Sequence, residues 1–184
     1  MRTLCQHIFD LVQNSIRARA GSIGVVVEER VSENLFRIII KDDGHGLKPE
    51  HLKRVKDAFF TTRSRKKRSV GLGIPLIDAT CQRSGGELII KSQLRRETKL
   101  TATMEYDNID RPPLGDIIDL FASLLISTMD NKVIWTLEHI YNGEKYFLKN
   151  HRTSDELNIL SYGEPGVKKK LIQLISAKEA QIHK

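Results

Sequence analysis

The sequence is short of cysteine, of aromatic residues and of long apolar runs, and each shortage removes a class of protein. Cys5 and Cys81 are the only cysteines in 184 residues. They are too few for a disulfide framework and too far apart for a Cys-x-x-Cys pair, so they read as buried free thiols of a reducing compartment. Aromatic residues make up 6% of the chain, and neither a base-stacking motif nor a zinc-finger spacing is present. Both absences argue against a nucleic-acid-binding module. No apolar run approaches the roughly 20 residues of a membrane-spanning helix. The opening Met-Arg-Thr-Leu-Cys-Gln-His lacks a signal-peptide core. A cytoplasmic protein with no membrane contact is expected. No Gly-x-x-x-x-Gly-Lys-Ser/Thr occurs, which excludes a P-loop.

What is present is an uneven charge. Residues 1–107 carry 20 Lys/Arg against 13 Asp/Glu, whereas residues 108–184 carry 10 of each. The whole excess of +7 therefore sits in the first part. It suits a polyanionic ligand, whether a nucleotide or a nucleic acid.

Periodicity divides the chain in the same way. Leu4, Ile8, Leu11, Val12 and Ile16 recur at helical spacing within residues 3–19, with His7, Asp10, Asn14 and Arg17 on a polar face. Strands are expected at 23–30 and 35–41, a short helix from Pro49 to 57, a helix at 74–83, and strands at 87–92 and 98–105. Between them, residues 61–70 hold Arg63, Arg65, Lys66, Lys67 and Arg68 and no core residue, which reads as a mobile loop. This order predicts an α/β fold, a two-layer sandwich of helices on one face of a mixed β-sheet. Asp110-Arg-Pro-Pro-Leu-Gly115 marks a boundary. Beyond it a helix at 115–128, a hairpin of 132–141 and 145–149 turning at Asn142-Gly143, and helices at 153–161 and 165–182 form a small α+β C-terminal extension. The expected division is 1–107 and 108–184, the second a candidate partner-docking module.

Three segments carry the chemistry. Residues 7–14 read His-Ile-Phe-Asp-Leu-Val-Gln-Asn, residues 42–46 Asp-Asp-Gly-His-Gly, and residues 69–76 Ser-Val-Gly-Leu-Gly-Ile-Pro-Leu. A polar helix face, an Asp-x-Gly-x-Gly turn and a Gly-x-Gly loop opening a helix make a coherent nucleotide pocket. An Asn carboxamide can ligate magnesium without adding negative charge beside a triphosphate. A carboxylate at Asp42 can accept from an adenine amino group and offers guanine no donor. Gly44 and Gly46 let backbone pass close to a base. Gly71 and Gly73 precede a helix, whose N-terminus and exposed backbone N–H groups favour phosphate.

On these segments the chain resembles the GHKL superfamily of ATPases (gyrase, the large heat-shock chaperones, histidine kinases and MutL), and Phe59-Phe60-Thr61-Thr62 followed by Gly71-Leu72-Gly73-Ile74 is especially similar to the catalytic domain of histidine kinases. The resemblance covers about residues 3–105. It implies a Bergerat-type ATP-binding fold with Asn14 as magnesium ligand. It further implies an ATP pocket of Asn14, Asp42, Gly44, Gly46, Phe60, Thr61, Thr62, Arg63, Gly71, Leu72, Gly73, Ile74 and Thr98, and a lid in the basic loop. Glu97 stands where the family usually has Gly. Asp10 stands where hydrolysing members have Glu and histidine kinases an amide or His; its carboxylate can act as a base, one methylene short of the family length. Asp43 reads as a solvated turn residue.

The expectation is a magnesium-dependent ATP-binding domain of histidine-kinase type. A sensor segment and a helix pair bearing an acceptor His would have to precede residue 1, and the first motif begins almost there, so a stand-alone domain rather than a complete sensor kinase is expected. It would pass phosphate to a separate protein or hydrolyse ATP slowly in signalling. The alternatives are a non-catalytic nucleotide-sensing regulator and a basic nucleic-acid-binding module.

Overall fold

The computed structural model describes residues 3–57, 72–127, 133–157 and 161–184. Helix α1 (Leu4–Arg17) starts at Thr3, which forms a capping box with Gln6: Gln6 N–H donates to Thr3 Oγ1 at 3.3 Å and Thr3 N–H to Gln6 Oε1 at 3.0 Å. The pair satisfies two orphan donors of the first turn. Leu4, Ile8, Leu11 and Val12 lie on its buried face, each stabilising the fold by about 1.5–3 kcal/mol of transfer free energy. His7 is buried with them, a correction to the polar face on which the spacing put it.

Strands β1 (Ser22–Arg30) and β2 (Leu35–Asp42) follow, joined by a single 3-10 turn (Val31–Glu33) and a left-handed Asn34 at φ 50°. A short α2 (Pro49–Leu52) ends five residues before the expected stop at 57. Lys53, Arg54, Lys56 and Asp57 give that stretch no apolar face to bury. Helix α3 (Gly73–Arg83) then leads to β3 (Leu88–Gln93) and β4 (Glu97–Glu105). Beyond the Pro112-Pro113 segment come α4 (Ile117–Ile126), β5 (Ile134–Tyr141), β6 (Glu144–Lys149), α5 (Asn150–Leu157) and α6 (Val167–Ile182). Asn142 and Gly143 turn the last hairpin at φ 48° and 94°, as an Asn-Gly turn requires. Helix α5 starts three residues earlier than expected, where Asn150 donates to Val133 O at 2.9 Å.

One mixed sheet results, in the order β3-β4-β2-β1-β5-β6. Among the described residues only β1 and β5 pair in parallel; the other pairs are antiparallel. The C-terminal hairpin thus continues the sheet through β1. Alternate residues are buried along the strands, Ile23, Val25 and Val27 on β1, Phe36, Ile38 and Ile40 on β2, and Leu100, Ala102 and Met104 on β4. They form one core with α1, α3, α4 and α6. Cys5 and Cys81 are free and buried in it, and burial pushes both thiols up to about 12. No helix of the described residues is long and apolar enough to cross a membrane.

Candidate functional site

The fold brings the first and second motifs together through a residue that the sequence reading passed over. Ser15 Oγ donates to Asp42 Oδ2 at 2.6 Å, and both residues are buried. Gly44 N–H donates to Asp42 Oδ1 at 3.0 Å. Each carboxylate oxygen thereby holds one partner and keeps lone-pair capacity for an incoming donor. Ser15 continues the stripe of Leu4, Ile8 and Leu11 on the buried face of α1. A serine where that stripe calls for an apolar residue is a readable sign of a buried polar partner.

The Asp-x-Gly-x-Gly turn is locked against its surroundings by backbone. His45 N–H donates to Ala18 O at 3.0 Å, and Arg95 N–H to His45 O at 2.8 Å. A Cβ on Gly44 would lie 2.8 Å from Ala18 Cβ and 2.9 Å from Asp42 Oδ1. A Cβ on Gly46, at φ 63°, would lie 2.2 Å from Gln93 O. No side chain fits at either position. Asp43 is exposed as expected, yet its Oδ1 accepts from Gly21 and Ser22 N–H at 2.7 and 2.8 Å, so it also fixes the start of β1.

Thr98 pairs with Asp42 across β2 and β4, so both side chains leave the sheet on the same face. Thr98 Oγ1 lies 2.9 Å from Ser92 Oγ, which accepts from Leu47 N–H at 2.9 Å. Glu97, the departure from the family's Gly, points to the opposite face. There it pairs with Lys41 Nζ at 2.9 Å, and that hydrogen bond holds its carboxyl below the usual range. The substitution leaves the Asp42–Thr98 face uncrowded.

The third motif meets the first. Gly73 opens α3 beside α1, where a Cβ would stand 3.6 Å from Asp10 Cβ and 3.7 Å from Asn14 Nδ2. Leu72 is the N-cap and is exposed; Ile74 packs against the core. Asn14 Oδ1 accepts from Arg17 at 3.3 Å. Phe60, Thr61, Thr62, Arg63, Gly71 and the whole basic loop at 61–70 lie outside the described residues. A cavity of about 520 Å³ between α1 and α4 shares Asp10 with this junction and is otherwise lined by Asp116, Asp119, Thr3, Gln6 and Phe9 among others. Three carboxylates make it a poor host for a triphosphate, and neither Asn14 nor Asp42 lines it.

These features, a carboxylate held at a strand end, side-chain-free glycines around it and a helix N-terminus facing an Asn-bearing helix, define a nucleotide-binding α/β domain. The chain belongs to the histidine kinase-, DNA gyrase B- and HSP90-like ATPases, whose family model matches residues 2–108. It is 34% identical over 98 residues to a putative sensor protein of Shewanella frigidimarina, covering 53% of this chain and 15% of that protein. It is 33% identical over 103 residues to the sensor protein SrrB of Staphylococcus aureus, covering 53% of this chain and 17% of that protein. The chain thus spans about a sixth of the length of these relatives. In fold it is similar to the N-terminal domain of a DNA repair protein, with a TM-score of 0.54 at 12% identity over 91% of this chain and 58% of the other. That likeness extends past residue 108, where the family match stops. Family membership makes this an ATP-binding, histidine-kinase-like domain.

Proposed function

We propose that this chain binds ATP with magnesium and passes the terminal phosphate to a separate protein, or slowly to water, in a signalling pathway. The observation that carries the reading is the junction of the motifs: Gly73 of α3 against Asp10 and Asn14 of α1, with Ser15 of the same helix holding Asp42.

In this reading Asp42, kept in place by Ser15 and Gly44, accepts from the adenine amino group, and Thr98 supports the base from β4. The backbone at Leu72, Gly73 and Ile74 takes the phosphates at the N-terminus of α3. Bound magnesium would neutralise and orient the triphosphate. The donor set suits such an ion, since it needs only one or two protein oxygens and Asn14 offers an uncharged one. Asn14 Oδ1 accepts one hydrogen bond from Arg17 and keeps a second lone pair for the ion, and the exposed Arg17 side chain is long enough to turn toward the phosphates. Asp10, one helical turn before Asn14, takes the proton from the attacking hydroxyl as the new bond to phosphorus forms and ADP leaves. Residues 108–184 then serve as the partner-facing part, and the reducing state of Cys5 and Cys81 fits a cytoplasmic site.

Incubating the chain with ATP labelled on its terminal phosphate, alone and with candidate receiver proteins, tests the reading. Label in inorganic phosphate or on a partner, dependent on magnesium, is the expected result. If ATP binds but its label stays in ATP under all conditions, the domain is a nucleotide-sensing regulator.

A further inference from the structure

A second polar cluster lies on residues that carry no nucleotide motif. β1 contributes Glu29, β5 His139 and β6 Tyr146, and all three are buried. Helix α6 lies over them with Glu179 and His183 one turn apart. His139 Nδ1 is 2.8 Å from Glu179 Oε1 and its Nε2 is 3.1 Å from Glu29 Oε1. Tyr146 donates to Glu179 Oε1 at 2.6 Å. His183 Nε2 is 3.3 Å from Glu179 Oε2, and its ring rests on Tyr141 with centroids 4.1 Å apart.

We infer that this cluster is a binding site for a divalent transition metal of the zinc class, with His139 Nδ1, a Glu179 oxygen and His183 Nε2 as ligands. Four observations support it. The three ligand atoms lie within 4.8 Å of one another. Bonds of about 2.0–2.1 Å at tetrahedral angles need separations near 3.3 Å. Each histidine nitrogen already approaches that from one of the two Glu179 oxygens, His139 Nδ1 at 2.8 Å from Oε1 and His183 Nε2 at 3.3 Å from Oε2. The side chain with most freedom to close the rest is His183, 43% exposed at the end of α6.

The second observation is charge. Glu29 and Glu179 are both buried and bring two negative charges that an apolar interior tolerates only when compensated. An imidazolium at His139 supplies one positive charge; a divalent ion supplies two.

The third is the outer shell. A metal-bound histidine donates its other nitrogen to a carboxylate, and a ligating carboxylate is itself hydrogen-bonded. Glu29 stands at His139 Nε2 for the first purpose and Tyr146 at Glu179 for the second. The fourth is coordination number. Two histidines and one carboxylate leave a position for water or a further ligand, as open zinc sites do. A metal here would join α6 to β5 and fasten the last helix to the sheet.

The test uses the full chain, treated with chelator, freed of it and kept without nucleotide. It is titrated with cobalt chloride, read by visible absorption, and with zinc chloride, read by calorimetry and thermal melting. Expected are the intense visible bands of low-coordinate cobalt, their displacement by one equivalent of zinc, and a higher melting temperature with zinc. His183→Gln alters an exposed side chain and should weaken zinc binding at least about 10-fold. Glu29→Gln should weaken it roughly 10–100-fold through His139, the usual loss for an outer-shell partner. Absence of cobalt bands in the unaltered chain at submillimolar metal would overturn the inference whatever the variants do. So would a zinc isotherm that His183→Gln and Glu29→Gln leave unchanged, which would place the metal elsewhere.

Discussion

Asp10→Asn is expected to slow phosphate release or transfer by about 100-fold or more, the lower end of what a positioned general base contributes. Affinity for ATP should stay within about two-fold, because a base acts mainly in the transition state. Two features of the structure make the variant informative. Asp10 Cβ lies beside Gly73 at the start of α3, where the phosphates would lie in the proposed reading. It is also a half-buried residue of α1 outside the apolar stripe, so the amide, nearly identical in shape, should leave the fold intact. Steady-state phosphate release and single-turnover transfer, each beside an ATP titration, give both quantities. Asp10→Glu, which restores the family length, should retain or raise turnover. Normal turnover in Asp10→Asn would remove the base role and leave a transfer that relies on an already nucleophilic acceptor.

Asp42→Asn is expected to weaken ATP and ADP alike by about 1–3 kcal/mol, the cost of an unsatisfied buried polar group, or roughly 5–150-fold in Kd. The new amide can keep its oxygen toward Gly44 N–H. Ser15 can turn its hydroxyl to accept from the amide nitrogen, since a hydroxyl both donates and accepts. The turn and its hydrogen bonds should therefore survive, and a loss of affinity would report the base contact rather than unfolding. Circular dichroism and thermal melting of the variant check that point. Equal affinities for ATP in parent and Asp42→Asn would show that the base is read elsewhere.

The elements that position the site were legible because their signals are local. β-Branched, apolar runs placed β1 to β4 within a residue or two, and the stripe from Leu4 to Val12 placed α1. Asn142-Gly143 fixed the last hairpin for the same reason. The pairing of β5 with β1 was not legible, because it joins strands more than 100 residues apart and no local pattern encodes the choice of neighbour. The site shows the same division. Gly44 and Gly46 could be read from their residue type, whereas the hold of Ser15 on Asp42 depends on how α1 lies over the end of β2. The turn of Glu97 away from the pocket follows from strand parity and could have been deduced once β4 was drawn from Glu97. The Glu29–His139–Glu179 cluster lay beyond sequence reasoning because its members come from three elements. Only the i, i+4 pair Glu179 and His183 was visible as a pattern.

The central claim, magnesium-dependent ATP binding at the junction of α1, β2 and α3, is tested most directly by calorimetric titration of ATP into the chain and into Asn14→Ala, each in magnesium and in chelator. The account predicts that magnesium strengthens ATP binding to the parent chain and that Asn14→Ala loses this gain while keeping the affinity seen in chelator. No ATP binding in either condition, or an Asn14→Ala protein with the full magnesium effect, would contradict it.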